Sequence, residues 1–144
     1  MAVSYQQIKE WMGKVVVEPK PDPAFMYAIA KAESSLSPIA RNRKTLAKGL
    51  YQLTPICLKD LRSRWGLLID PFDPIQATEG AATYISWLMR QFPEDLMLAL
   101  AAWNWGIGNV RKWLKGEKEL PEETRNFVHR VLSEWERLKK VKEE

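Results

Sequence analysis

Apolar residues recur at helical spacing along most of the chain, and polar capping residues mark where the helices begin. Four residues with side-chain acceptors precede such repeats, namely Ser4, Asp22, Thr54 and Asp73. Proline follows directly after the last three, and proline favours the first turn of a helix. A linker is predicted at 17–23, because its three prolines break regular structure.

Further segments complete this pattern. Residues 95–104 are apolar on nearly every side, which is typical of a helix at the centre of a helical domain. Gly106 interrupts that helix, a short helix is predicted at 109–115, and Pro121 opens a last one. Residues 36–53 lack a helical period and predict loops or a small hairpin. The sequence therefore predicts a mostly α fold of about seven helices.

Composition narrows the class of protein. The chain has 144 residues, 46% of them apolar, and we interpret it as a single domain spanning 1–144. Its one cysteine and one histidine, Cys57 and His129, argue against disulfides and metal sites, and we expect no metal and no cofactor. No apolar run approaches the roughly 20 residues of a membrane span, so we expect no membrane insertion. The N-terminal segment lacks the pattern of a signal peptide.

The charge balance favours a polyanionic partner only weakly, because 22 basic residues face 18 acidic ones. No stripe of Lys or Arg stands out, so nucleic acid is not an expected partner. The seven tryptophans are more unusual. Aromatic side chains pack in protein cores, and they also offer flat faces on which sugars stack.

Glu33 is the first candidate for chemistry. One further helical turn extends the apolar stripe of Phe25, Met26, Ile29 and Ala30 to Glu33, which directs this carboxyl group inward. Burial disfavours the charged form and raises the pKa of a carboxyl group, as a general acid near neutral pH requires. The alternative is that Glu33 lies solvated at the edge of the stripe.

Residues 34–59 contain no acidic residue, whereas hydrolysing glycosidases generally use two carboxyl groups. The remaining candidates for a second carboxylate are Asp60, Asp70, Asp73 and Glu79. The same stretch is basic from Arg41 to Lys48, which suits either an anionic polymer or an ordinary solvated surface.

Two amide residues adjoin aromatic ones. Gln52 follows Tyr51, and Asn104 lies between Trp103 and Trp105. Amides beside aromatic rings fit a groove that binds sugars and N-acetyl groups. Packing of the aromatic residues in the core explains the same pattern, and the spacing does not decide between the two.

Taken together, these segments resemble the catalytic domain of soluble lytic transglycosylases over roughly 23–133. The resemblance rests on ESS at 33–35, GLYQLTP at 49–55, AAWNWGIGNV at 101–110 and ETRNFV at 123–128. It implies a lysozyme-like fold that cleaves the β-1,4 bond between N-acetylmuramic acid and N-acetylglucosamine in peptidoglycan glycan strands. Glu33 would be the single catalytic acid and base, and the product would carry a 1,6-anhydro ring.

The resemblance also assigns substrate-binding roles. Ser34 would contact the sugar or hold the hydrogen bonds of the acid, Gln52 would bind an N-acetyl group, and Asn104 would lie on the cleft wall. Tyr51 and Trp103 would contact the substrate in positions where methionine and tyrosine are more usual. Tyr84 is the remaining aromatic candidate for the cleft.

The resemblance places Phe127 too among the substrate-binding residues, and Phe127 is the departure from the family pattern with the largest consequence. Family members usually carry a tyrosine there, whose hydroxyl group bonds the catalytic carboxyl group. Phenylalanine removes that donor, so either the pKa of Glu33 rises further or another donor, such as Tyr51 or Tyr84, takes its place.

Two other functions are possible on the same scaffold. A hydrolase on the same scaffold, like goose-type lysozymes, would need a second carboxylate. A non-catalytic wall-binding module would keep the scaffold without the activity. In every case the expected partner is peptidoglycan and the expected state a monomer. Because no export signal is visible, we expect phage delivery, release through a holin, or a chain trimmed of its signal.

Overall fold

The computed structural model describes residues 1–143, with side chains up to residue 141, and contains seven α-helices. Their bounds are α1 Tyr5–Met12, α2 Pro23–Ser34, α3 Pro55–Trp65, α4 Pro74–Gln91, α5 Leu96–Trp105, α6 Ile107–Leu114 and α7 Glu122–Glu143. Extended structure in this part of the chain is limited to two isolated β-bridges. The predicted fold class, mostly α with about seven helices, is confirmed.

The predicted helix starts are also confirmed. Ser4 forms a reciprocal capping box with Gln7, and Asp22 accepts a hydrogen bond from the backbone N–H of Ala24. Thr54 and Asp73 cap α3 and α4 in the same way. Each cap satisfies N–H groups that the first turn of a helix leaves without partners. Local side-chain chemistry therefore sets where these helices begin.

The core lies around α2, which packs mainly against α7 and α1, while α5 packs against α4, α6 and α7. Phe25, Met26 and Ile29 of α2 are buried, as the apolar stripe predicts. Helix α5 is less central than predicted. Met97 is 60% exposed, and the buried residues of the helix are limited to Ala99–Ala102. Among the described helices, none is both long and apolar enough to cross a membrane.

The irregular region at 36–53 is held against the end of α2. Ser35 ends the helix in the left-handed conformation, and the Oγ of Ser34 lies 2.6 Å from the carbonyl oxygen of Leu50. The two β-bridges, Arg41 to Lys48 and Lys48 to Leu53, give the region a small hairpin-like core. The loop that follows the helix is thereby fixed beside Glu33.

Candidate functional site

Glu33 lies where two cavities meet on the surface. It is the second-last residue of α2 and is partly buried. One cavity, of about 370 Å³, is lined in one part by the segment 42–57 and in another by the end of α5 with the aromatic residues Tyr84, Trp103 and Trp105, and we call it the aromatic cavity. The other, of about 650 Å³, is lined by the basic loop 40–44, and we call it the basic cavity. Both cavities share Glu33, Asn42 and Gln52.

The carboxyl group of Glu33 has one hydrogen-bond partner in the described part of the chain. Nε1 of Trp103, on α5, donates to Oε2 of Glu33 over 2.9 Å. The two residues are far apart in the sequence, and packing of α2 and α5 into one core brings them together. This bond fixes the position of one carboxyl oxygen.

The environment of Glu33 raises its pKa from the ordinary value of 4.5 to about 7. Burial is the main cause, because it removes the charged form from water. The hydrogen bond from Trp103 and the positive charge of Arg130 lower the pKa, and the negative charge of Glu123 raises it. Near neutral pH the group can therefore both donate and accept a proton.

An aromatic cluster holds Trp103 in place. We define it as Trp65, Tyr84, Trp87 and Trp103, whose rings meet edge to face with centroids 5.6–6.2 Å apart. Tyr84 contacts Trp103 directly, and its hydroxyl group donates to Asp60 over 3.3 Å. Burial is the main reason why the pKa of Tyr84 rises to about 12. Tyr84 also lines the aromatic cavity, so the structure brings it to the site.

Gln52 and Asn104 line the cleft, and each has amide atoms that make no hydrogen bond within the described chain. Nε2 of Gln52 donates to the carbonyl oxygens of Ala40 and Gly49, at 3.2 and 3.0 Å, which leaves Oε1 without a partner in the described chain. Asn104 is half-buried in the aromatic cavity, and its side chain makes no hydrogen bond within the described residues. These amides are available to a ligand with N–H and C=O groups.

Ser34 lines the basic cavity, but its hydroxyl group is used by the protein. Its Oγ lies within hydrogen-bond distance of the carbonyl oxygens of Ala30 and Leu50. A hydroxyl group has one hydrogen to donate, and the Leu50 oxygen is the nearer acceptor at 2.6 Å. The structure therefore gives Ser34 a role in attaching the loop to α2.

Tyr51 and Phe127 do not line the cleft. Their side chains are 0% and 1% exposed, so substrate contact, which the resemblance implied, is closed to both. The hydroxyl group of Tyr51 pairs with Thr78 of α4 over 3.0 Å, because a polar group this deeply buried needs a partner. Neither Tyr51 nor Tyr84 replaces the donor missing at Phe127. Trp103 supplies it instead.

Glu123 is the site residue that the sequence reasoning missed. It lies in the first turn of α7, lines the aromatic cavity and is close enough to raise the pKa of Glu33. None of Asp60, Asp70, Asp73 and Glu79 lines either cavity. The sequence did contain a signal for Glu123, because this residue begins the ETRNFV segment. Each of the other three segments that carry the family resemblance had supplied a candidate cleft residue. No group of three or more potential metal ligands occurs among the described residues.

Comparison with known proteins identifies relatives of the chain. A protein of Haemophilus influenzae named as a soluble lytic murein transglycosylase is 31% identical over 76% of this chain and 21% of its own length. Membrane-bound lytic murein transglycosylase F of Pasteurella multocida is 29% identical over 74% of this chain and 22% of its own length. The chain thus spans about a fifth of the curated relatives that it matches.

Solved structures share the fold. Lytic transglycosylase Slt from Pseudomonas aeruginosa superposes with a TM-score of 0.72 at 28% identity, covering 91% of this chain and 22% of that one. The 70 kDa soluble lytic transglycosylase from Escherichia coli gives a TM-score of 0.77 at 24% identity, over 88% and 23%. Residues 11–126 match the transglycosylase SLT domain. Because this match covers most of the chain, the protein belongs to the transglycosylase SLT domain family.

Proposed function

We propose that the protein is a peptidoglycan lytic transglycosylase with Glu33 as its single acid and base. The observation that carries the proposal is a partly buried carboxyl group that accepts a hydrogen bond from Trp103, has its pKa raised to about 7 and lies where two cavities meet. Family membership supports it. The similar Pseudomonas aeruginosa enzyme was solved as an inactive mutant in which glutamine replaces a glutamate.

In the proposed reaction Glu33 first gives one proton and then takes up another. It protonates the glycosidic oxygen while the bond from that oxygen to C1 of the muramoyl sugar breaks. The acetamido group of the sugar stabilises the positive charge that develops at C1. Glu33 then takes the proton of the C6 hydroxyl group as its oxygen bonds to C1, which gives the 1,6-anhydro product. The enzyme returns to its starting state, and no water is consumed.

The amides of the cleft suit this substrate. The unpaired Oε1 of Gln52 can accept a hydrogen bond from an N-acetyl N–H group. Asn104 lines the same cavity and can both donate a hydrogen bond to the sugar and accept one from it. We include Trp103 and Tyr84 as the aromatic side of the cleft, and leave Tyr51 and Phe127 out of the substrate-contacting set.

A hydrolase is the second candidate, because Glu123 shares the aromatic cavity with Glu33. A second carboxylate could activate a water molecule against C1. We favour the transglycosylase because Glu33, unlike the exposed Glu123, combines partial burial with a positioned hydrogen bond.

The products of a peptidoglycan digest test the proposal. Purified peptidoglycan is incubated with the protein, and the fragments are read by mass spectrometry. We expect 1,6-anhydromuramoyl ends, each 18 Da lighter than the hydrolysis product because no water is added. Reducing muramic acid ends that vanish with Glu123→Gln would establish the hydrolase. No fragments at any pH would overturn both enzyme proposals in favour of a wall-binding module.

We further propose that the basic cavity attracts anionic groups of the wall. Arg43 and Lys44 are exposed, without an ion pair in the described chain, and a turn around Asn42 holds them at the cavity. Activity of the parent should fall several-fold from low salt to 0.5 M salt, because exposed charges are screened within about 10 Å at 0.1 M. Arg43→Gln/Lys44→Gln should be slower at low salt and less sensitive to salt.

A matched pair of substitutions controls for net charge. Lys9→Gln/Lys14→Gln removes the same charge from exposed positions in and after α1, and neither residue lines either cavity. It should keep the salt dependence of the parent. Equal effects of the two double variants would contradict a role for the basic cavity.

We also propose that residues 1–144 act as a single domain and as a monomer at the bacterial wall. The route by which the protein reaches the wall stays a prediction from the sequence.

A further inference from the structure

The two oxygens of the Glu33 carboxyl group have different surroundings. Oε2 accepts the hydrogen bond of the Trp103 indole over 2.9 Å. Oε1 makes no hydrogen bond within the described part of the chain. Glu33 lines both cavities, so Oε1 is the oxygen left for a ligand.

We propose that Trp103 keeps the proton of Glu33 on Oε1, so that this one oxygen both gives the first proton and accepts the second. The inference rests on the proposed function for its use in catalysis, but not for its geometry. An indole N–H group donates and has no lone pair with which to accept. A proton on Oε2 would occupy one of the lone pairs of that oxygen and make it a poor acceptor, so the bond from the indole would weaken, whereas a proton on Oε1 leaves Oε2 as the carbonyl oxygen, which is the better acceptor. A tyrosine hydroxyl group, which donates or accepts, would impose no such choice.

The proposed reaction then runs through one atom. The proton on Oε1 moves to the glycosidic oxygen as the bond from that oxygen to C1 breaks. Glu33 is now a carboxylate, still bound to Trp103 through Oε2. The C6 hydroxyl proton moves to Oε1 as the oxygen of that group bonds to C1. The side chain needs no rotation between the steps, which keeps the donor and the later acceptor in one place.

The surroundings of Trp103 and Glu33 support this division of roles. The aromatic cluster holds the indole ring against Tyr84. Charged groups facing Glu33 are Arg130 and Glu123 from α7, together with the basic side chains at 41–44 that share its cavity. None of them forms a hydrogen bond to Glu33 in the described chain, and Arg130 and Glu123 change how readily the group ionises without bonding to either oxygen. Trp103 is accordingly a positioning residue.

Indole signals in proton–nitrogen NMR test the inference without any activity. One of the seven indole N–H signals should titrate near pH 7, with the ionisation of Glu33. It should vanish in Trp103→Phe and lose its titration in Glu33→Gln. It should also stay protected from exchange with water on both sides of the midpoint, because the bond to Oε2 persists when Oε1 is protonated. Its assignment comes from the Trp103→Phe spectrum.

A second indole–carboxyl bond provides an internal reference. Nε1 of Trp135 donates to Asp22 over 3.2 Å, away from both cavities. The Trp135 signal should be unchanged by Glu33→Gln. Loss of protection of the Trp103 indole below the midpoint, relative to Trp135, would mean that the proton sits on Oε2. That result, or an indole that does not titrate at all, would overturn the inference.

Activity gives an independent readout of positioning. Loss of a hydrogen bond to the carboxylate should raise the pKa of Glu33, so the alkaline limb of the kcat/KM profile of Trp103→Phe should move up by about one pH unit. Trp113→Phe, the same exchange on α6 outside both cavities, should keep the profile of the parent. An unmoved limb in Trp103→Phe would overturn the positioning role. Absence of cleavage by the parent would instead refute the proposed function, while the NMR result would still decide the position of the proton.

Discussion

Replacing Glu33 by glutamine is expected to abolish peptidoglycan cleavage and, at the same time, to stabilise the fold above pH 7. An amide cannot give up a proton to the leaving oxygen. Because one group performs both proton transfers in the proposed reaction, we expect a loss of at least about 10³-fold in kcat. The variant keeps the shape of the side chain, and its amide oxygen can still accept the hydrogen bond of Trp103.

The gain in stability follows from the raised pKa of Glu33. The folded chain binds this proton up to about pH 7, whereas the unfolded chain loses it near pH 4.5. The group therefore leaves the fold unaffected below about pH 4.5, destabilises it progressively between pH 4.5 and pH 7, and costs a constant amount at higher pH. The full cost of the buried carboxylate is about 3 kcal/mol. Glutamine carries no charge and avoids this cost.

Denaturant unfolding at two pH values measures the effect. The free energy of unfolding of Glu33→Gln should match that of the parent at pH 4 and exceed it by up to about 3 kcal/mol at pH 8.5. Glu123→Gln removes an exposed carboxylate from the same cavity, and its change should stay within about 0.5 kcal/mol. A difference for Glu33→Gln that is equal at both pH values would contradict the burial of the charged group.

The requirements of stability and of catalysis conflict at Glu33. A core residue at the end of the α2 stripe would stabilise the fold, yet the position holds a carboxyl group that costs stability at neutral pH. Such a cost is common where a group must change its protonation state during its task. The stability lost at Glu33 is thus consistent with chemistry at this position and has no evident structural purpose.

The fold was predictable because its determinants are local. The caps at Ser4, Asp22, Thr54 and Asp73 act within three residues of themselves, and the apolar stripes need only the helical period. The inward direction of Glu33 followed from the same period. The apolar pattern does not predict the exposure of Met97, since an apolar residue in an apolar helix is exposed when no neighbouring element covers it.

The site was less predictable, because its geometry depends on contacts between distant segments. The sequence marked both Glu33 and Trp103, but nothing in it indicated that the indole nitrogen reaches the carboxyl group. Glu123 reaches the cavity only because α7 packs against α2 and α5. Tyr51 stands beside Gln52 in the sequence, yet the turn directs one side chain into the core and the other to the cleft.

Gly49→Ala is expected to be among the most damaging single substitutions, because there is no space for a methyl group. A Cβ atom at this position would lie 1.7 Å from the carbonyl oxygen of Pro71 and 2.7 Å from its carbon. The residue also has a φ of +82°, a backbone conformation that residues other than glycine adopt only at a cost in free energy. The clash is with backbone atoms, so no side-chain rotation relieves it.

The structural consequence reaches the cleft. Gly49 donates its N–H to Ala40 over 2.8 Å, and its carbonyl oxygen accepts from Gln52. Displacement of the segment around Pro71 or of the turn would therefore move the amide of Gln52 relative to Glu33. We expect Gly49→Ala to lose about 4 kcal/mol or more of unfolding free energy, and any folded fraction to bind glycan less tightly.

Gly116→Ala is a control that separates the cost of a positive φ from the cost of a steric clash. Gly116 has a similar φ of +78°, but a Cβ atom there would meet nothing within 4 Å. Its substitution should cost only the conformational penalty, about 1–2 kcal/mol. Thermal unfolding of the two variants beside the parent makes the comparison. Equal losses of stability in the two variants would mean that the backbone near Pro71 moves at little cost. The close approach of Gly49 to Pro71 would then not fix the position of the turn that carries Gln52. A much larger loss for Gly49→Ala would show that the contact of this turn with Pro71 is rigid, as a cleft with a fixed amide beside its acid requires.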